Sequence, residues 1–294
     1  MIDVKNITKY YRKQKGVANF SLQAKSGECI GIIGINGSGK TTFFKVLLNL
    51  LNRDTGTMHY QGKDLSTYNN TILGYLPEER CLYLDLTVYK QVQLLGRLKE
   101  MSDQKIEERL DKYLKLLKIV DYKYKIIGKL SKGNQQKVQI ICSLIHDPKI
   151  VVLDEPLSGL DIINVNILKK LIYQLKRENK IILMASHQFE HIEQFCEHII
   201  ILKHGDTQFK GSLNELQSLS KRFYLTLDQS VSKKYHDKIN YSQITHNELT
   251  TTYELNDYEE SLELVKEIMN NNDVTSISLK PSSIEQIVRE FNLI

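Results

Sequence analysis

The segment Gly34-Ile-Asn-Gly-Ser-Gly39-Lys40-Thr41 carries the strongest chemical signal in the chain. Its glycines let consecutive backbone N–H groups turn toward one point, and the lysine stands where a helix would begin, so that a helix dipole adds to the positive field. Such a cradle suits the polyphosphate of a nucleoside triphosphate. Asn36, Gly37, Ser38 and Gly39 would line it, and Lys40 would bring a full charge to the β- and γ-phosphates. Thr41 offers a hydroxyl to Mg²⁺, which prefers hard oxygen ligands, and Thr42 reaches toward the α-phosphate. A plain glycine turn is the bland alternative, but it leaves the preceding strand and following helix unexplained.

A second segment, Ile150-Val-Val-Leu153-Asp154-Glu155-Pro156, ends a buried apolar run in two carboxylates. The carboxyl end of such a strand is where an open α/β sheet delivers groups to a ligand. Asp154 is placed to hold Mg²⁺ through water, and Glu155 to polarise the water that attacks a γ-phosphate. Alone, this pattern would more often be a helix cap or a turn. The phosphate loop reverses that balance.

Leu130-Ser131-Lys132-Gly133-Asn134-Gln135-Gln136 would in isolation be an ordinary serine N-cap. In this company it resembles the signature motif, LSxGxQ or the longer LSxGxxQ, of the ABC (ATP-binding cassette) ATPases. The resemblance covers residues 1–215. It implies a phosphate-loop NTPase of the α/β class, with a RecA-like core, a helical subdomain at about 85–148 and an antiparallel β part. Through it Ser131 and Gly133 are expected to contact the γ-phosphate of ATP held by a second cassette chain, identical or different. Ser158-Gly159-Leu160-Asp161 resembles the family's D-loop, which puts Asp161 at the same site. His187 resembles the switch histidine that hydrogen-bonds the γ-phosphate, making Lys40, Glu155 and His187 the catalytic set. Tyr11 matches the aromatic residue that stacks on adenine, with Tyr10 as the competing choice.

One departure stands out in Gly74-Tyr75-Leu76-Pro77-Glu78-Glu79-Arg80. Glu78 occupies a position where most relatives carry glutamine, and a carboxylate there can reach Mg²⁺. Its bland alternative is a solvent-facing cap on the turn at Pro77. The strings YLPEER and LSKGNQQK resemble an ABC-2-type exporter branch that includes sodium-efflux and peptide- or antibiotic-export ATPases. The implied protein is an ATP-hydrolysing motor, peripheral on the inner face of the cell membrane and partnered by an integral-membrane permease. A soluble ABC ATPase acting on nucleic acid or ribosomes is the rival from another class. Tandem cassettes or a long coiled coil would support it, and neither is visible; no nucleic acid is expected. Intact Glu155 and His187 argue against a non-hydrolysing regulatory cassette.

Elements of the right kind surround these residues. Glu28–Ile35 reads as a buried strand entering the phosphate loop, and Thr41–Leu51 as the helix leaving it. Ile106–Val120 repeats leucines at helical spacing. Ile150–Leu153, Ile163–Glu178 and Ile181–Ala185 form a β-α-β unit. From Phe223 the pattern becomes strand (Phe223–Leu227), weaker strand (Thr250–Leu255), helix (Tyr258–Met269), strand (Val274–Leu279) and a helix from Ser282. The expected division is therefore 1–219 for the cassette and 220–294 for a small α+β domain.

Composition agrees with a protein that folds in water: of 294 residues, 41% are hydrophobic and 26% charged. No run approaches the ~18 apolar residues needed to span a bilayer, and the start lacks the apolar core of a signal peptide. The net charge of +5 hides a division, because from Ser220 onward eight basic residues face twelve acidic ones. Cys29, Cys81, Cys142 and Cys196 form no CxxC pair and are expected to be reduced and buried.

Overall fold

The computed structural model describes residues 1–68, 71–270 and 276–294. They form two compact units, Met1–Gly211 with Leu293–Ile294, and Ser212–Asn292. In the first unit the chain runs through β1 (Ile2–Tyr11), β2 (Gln14–Ala24), β3 (Cys29–Ile33), α1 (Lys40–Leu47), β4 (Thr55–Tyr60), β5 (Lys63–Asp64) and β6 (Leu73–Leu76). The helices α2 (Val88–Leu98), α3 (Asp103–Leu116) and α4 (Lys132–Leu144) follow. Then come β7 (Ile150–Asp154), α5 (Ile162–Arg177), β8 (Ile181–Ala185), α6 (Phe189–Phe195), β9 (His198–Lys203) and β10 (Asp206–Ser212).

Two sheets organise this unit. One is antiparallel, in the order β2-β1-β4-β5; the other runs β10-β9-β3-β8-β7-β6, and its strands β9, β3, β8, β7 and β6 are mutually parallel. Strands β3, β7 and β8 are buried at every residue. Interior strands covered on both faces read as continuous apolar runs, which is why the sequence betrays them. Helix starts are set by short polar side chains: Thr87, Ser102, Ser131 and Asp161 each accept a backbone N–H at the N-cap of α2, α3, α4 and α5. No helix among the described residues is long and apolar enough to cross a membrane.

Several boundaries differ from the sequence reading. Helix α1 stops at Leu47, not Leu51, because Asn49 turns left-handed (φ 57°) and the N–H groups of Leu50 and Leu51 fold back onto the Lys45 carbonyl. Helix α3 ends before Lys118 (φ 58°) for the same reason. The second unit starts at Ser212, where a capping box with Glu215 opens α7 (Leu213–Gln217) and buries Leu216.

That unit contains β11 (Phe223–Asp228), α8 (Gln229–Tyr235), β12 (Gln243–His246), β13 (Thr250–Leu255), α9 (Tyr258–Asn270), β14 (Ile277–Pro281) and α10 (Ile284–Glu290). Its antiparallel sheet has the order β12-β13-β11-β14. The strand expected at Val274–Leu279 begins at Ile277, with residues 274 and 275 outside the described set. Leu225, Leu227, Tyr253 and Ile268 fill its separate core.

The cysteines need correction. All four are free, but only Cys29 and Cys196 are buried, with their sulfurs 3.4 Å apart, whereas Cys81 is exposed and Cys142 intermediate. The Cys142 thiol itself is desolvated and pushed up to about 12.

Strand β6, which leads to Glu78, is pressed against α4 at Gly74. A Cβ there would lie 2.4 Å from the Ser143 carbonyl oxygen and 2.6 Å from Pro148 Cγ. Gly74→Ala is expected to destabilise the protein by about 1–3 kcal/mol in urea unfolding, the usual cost of overpacking. A change below ~0.3 kcal/mol would contradict this account of the contact.

Candidate active site

Parallel pairing brings four loops to one edge of the sheet. The loop after β3 starts at Gly34, β7 ends in Asp154 followed by Glu155, β8 leads to Ser186 and His187, and β6 leads to Pro77 and Glu78. Between them lies a cleft of about 460 Å³. Its lining includes Tyr11, Gly16, Asn36, Gly37, Ser38, Gly39, Lys40, Thr41, Thr42, Glu78, Asp154 and Glu155. Tyr11 lines it and Tyr10 does not.

The loop conformation requires glycine at Gly39, where φ is 110° and a Cβ would meet the Gly16 carbonyl oxygen at 2.4 Å. Lys40 is buried, and its Nζ donates to the carbonyl oxygens of Gly34 (2.6 Å) and Ile35 (3.1 Å). Burial holds its ammonium below the ordinary value, while Glu155, Asp154 and Glu78 oppose that shift. Ser38 Oγ is buried without a hydrogen-bond partner among the described residues, an orphan in the loop that lines the cleft.

The carboxylates differ in their surroundings. Asp154 is 3% exposed. Desolvation, then the charges of Glu78 and Glu155, push its carboxyl up to about 6, against the pull of Lys40 and a hydrogen bond from Tyr75. Glu155 is held by three donors from the end of β8: Ser186 Oγ at 3.1 Å, the His187 backbone N–H at 2.7 Å and His187 Nδ1 at 2.8 Å. Its own backbone is left-handed, φ 50°, an uncommon state for a residue with a Cβ and one concentrated at functional sites.

Four expected site residues do not line this cleft: Ser131, Gly133, Asp161 and His187. Ser131 caps α4. Asp161 caps α5, accepting from the Asn164 N–H at 2.9 Å and the Asn164 amide at 2.7 Å. Those donors hold the Asp161 carboxyl below its ordinary value. His187 is tied to Glu155. Sequence reasoning missed Tyr75 and Ser186, which hold the two carboxylates, and Lys15, which lines the cleft and pairs with Asp206 at 2.6 Å. Only the register β6/β7, with Tyr75 opposite Val152, could have flagged Tyr75.

The donor set suits Mg²⁺. Thr41, Asp154 and Glu78 offer hard oxygens on one cleft, and among the described residues no group of three or more His, Cys, Asp or Glu is arranged to enclose an ion. Mg²⁺ is characteristically held by one or two carboxylates together with phosphate oxygens and water.

Fold and cleft define a phosphate-loop protein that binds nucleoside triphosphate. The family model described as ABC transporter matches residues 17–158. An uncharacterized ABC transporter ATP-binding protein of Methanocaldococcus jannaschii is 43% identical over 73% of this chain and 79% of its own length. The lipopolysaccharide export system ATP-binding protein LptB of Haemophilus influenzae is 30% identical over 76% of this chain and 97% of its own. Among solved structures, a dimeric post-hydrolysis ATP-binding cassette bound to ADP and Pi superposes with TM-score 0.66 at 25% identity, over 72% of this chain and 99% of that one. The chain belongs to the ABC transporter family as an ATP-binding subunit, and it is an ATPase.

The raised Asp154 carboxyl has a consequence for stability. Folding makes this group take up a proton between pH ~4 and ~6, so it favours the folded state below the unfolded value and opposes it as pH rises past about 6. Asp154→Asn is therefore expected to stabilise the nucleotide-free protein at pH 7.5 by about 1–3 kcal/mol and to gain little at pH 4. Urea unfolding at the two pH values checks this, and equal or lower stability at pH 7.5 contradicts it.

Proposed function

We propose that the chain is the motor of an exporter, working from the inner face of the cell membrane with a separate membrane-spanning permease. Two cassette chains, identical or different, close head to tail on two ATP molecules. The observation that carries this reading is the placement of Ser131 and Gly133. They belong to the helix opening that resembles the γ-phosphate contact, yet they do not line the chain's own cleft. A site that needs them is completed by a second chain.

Each residue then has a task. Tyr11 stacks on the base, the N–H groups of residues 36–42 hold the phosphates, and Lys40 swings from its carbonyl partners to the β- and γ-phosphates. Thr42 meets the α-phosphate. Thr41, Asp154 and Glu78 would hold Mg²⁺, which supplies charge neutralisation to the polyphosphate when bound. Glu155, fixed by Ser186 and His187, orients and polarises the attacking water, and His187 contacts the γ-phosphate beside it. Asp161 fixes the start of α5 at the joint with the second chain. Closure of the pair pulls on the permease, and hydrolysis releases it.

Two features support a permease partner and export. An apolar cleft of about 450 Å³, lined among others by Leu48, Leu73, Pro77, Leu82, Leu95 and Leu98, opens beside the Glu78 loop. It offers a seat for an apolar cytoplasmic segment of the permease. The YLPEER and LSKGNQQK strings resemble the ABC-2-type exporter branch, and one relative is named for an export system.

Two variants test the reading. Lys40→Ala is expected to lose tight MgATP binding by calorimetry; wild-type affinity would sink the loop assignment. Glu155→Gln is expected to bind ATP, slow hydrolysis by ~10²-fold or more and accumulate as a pair with ATP in size-exclusion chromatography with light scattering. Normal turnover, or a variant that stays single with saturating ATP, would overturn it.

A further inference from the structure

The helix that opens with Ser131 is tied to the loop that carries Glu78. Gln139, on α4, is 4% exposed. Its amide Nε2 donates to the Pro77 carbonyl oxygen at 3.1 Å and to the Glu79 carbonyl oxygen at 2.9 Å, bracketing Glu78 on both sides. Its Oε1 is buried with no partner among the described residues. A leucine or methionine would fill this place beside an apolar cleft without leaving a buried orphan acceptor, which is unfavourable. The glutamine instead fixes two loop carbonyls, a specific geometric constraint.

The second anchor of the same helix strengthens the tie. Gln136, one turn earlier and buried, donates to the Pro156 carbonyl oxygen at 3.4 Å, directly after Glu155. Helix α4 is thus hydrogen-bonded to the two loops that carry Glu78 and Glu155, while its opening, Ser131 to Gly133, does not line their cleft. A rigid helix gripping a loop at the carbonyls on either side of Glu78 cannot shift without moving it, and the loop cannot reset without pulling the helix.

We propose that Gln139 is a positioning residue that makes the Glu78 loop and the signature turn move as one body. It acts through Glu78 and touches no reacting atom. A change in Mg²⁺–nucleotide occupancy in a chain's own cleft is thereby passed to the surface that grips the second chain's ATP. The proposal rests on the paired-cassette reading above and deepens it, by naming the link between the two half-sites of one chain.

The test reads hydrogen–deuterium exchange in the full-length chain, with Mg²⁺–ADP as ligand. ADP lacks the γ-phosphate that a second chain would grip, so the signature turn is observed without a partner's nucleotide on it. In the wild type, Mg²⁺–ADP is expected to slow exchange of the phosphate-loop amides 36–42 and, by at least about 2-fold, of amides 132–139. Gln139→Leu should keep the first protection and lose the second, and Glu78→Gln should lose the second. The double variant should be no worse than the more severe single one, as residues acting through each other require. ADP affinity measured in EDTA should stay within about 2-fold for the Gln139 variants, which excludes a collapsed cleft. Gln139→Glu, of similar size but without the amide donor, should behave as Gln139→Leu and serves if the leucine variant fails to fold. Protection of 132–139 that persists in both Gln139 variants overturns the proposal. So does its absence in the wild type while 36–42 are protected. Loss of protection at 36–42 in the wild type would instead overturn the nucleotide-site reading beneath it.

Discussion

Negative charge buried beside a place for still more negative charge is the constraint on which this molecule depends. Glu78, Asp154 and Glu155 share a cleft with Lys40 and Lys15, so the cleft lining is acidic before any polyphosphate arrives. Burial raises the Asp154 carboxyl first, and the charges of Glu78 and Glu155 add to it. Inward-turned backbone N–H groups can attract a phosphate without adding a side-chain charge, which lets the carboxylates stay close for chemistry. The same crowding explains why Glu155 is gripped by Ser186 and His187. An unrestrained carboxylate there would swing away from its neighbours and lose its aim.

The parallel sheet is what makes such crowding sustainable. Strands β3, β8, β7 and β6 all deliver chemical groups at their carboxyl ends, and all are anchored by fully or largely buried apolar runs. Burial of these runs, at ~25 cal/mol per Å² of apolar surface, offsets the strain and charge repulsion stored at their tips. Helix α4 completes the arrangement from the other side, because its buried glutamines hold the loops by hydrogen bonds that an apolar core could not supply. A motor needs this combination of a stiff base and loops whose positions are set by few, exchangeable bonds.

Much of this was legible in the sequence, and what was legible was local. Gly39 must be glycine because of its own φ and the backbone pressed against it, so the phosphate loop announces itself within a few residues. The strands β3, β7 and β8 are equally plain, as apolar runs ending in glycine, acid or serine. Tyr75, Ser186 and Lys15 were missed because their partners are distant in the chain; Lys15 meets Asp206 across most of the unit. The strands β9 and β10 passed unread because a short apolar run and a polar edge strand lack a distinctive period. Helix ends failed at Asn49 and Lys118, where a left-handed residue, not a change of pattern, stops the helix. Gln139 looked like one polar residue on a mixed helix, and only its two carbonyl partners give it meaning.

The central claim is that each ATP site is built from two chains, and complementation tests it most directly. Lys40→Ala spoils the phosphate loop of a chain and leaves its signature turn, whereas Ser131→Arg does the reverse. Each variant alone has no complete site. Mixed in equal amounts, half the pairs are hybrids and each hybrid has one intact composite site, so roughly a quarter of the wild-type ATPase rate should return. ATPase of the mixture no higher than the mean of the two variants alone would contradict the account.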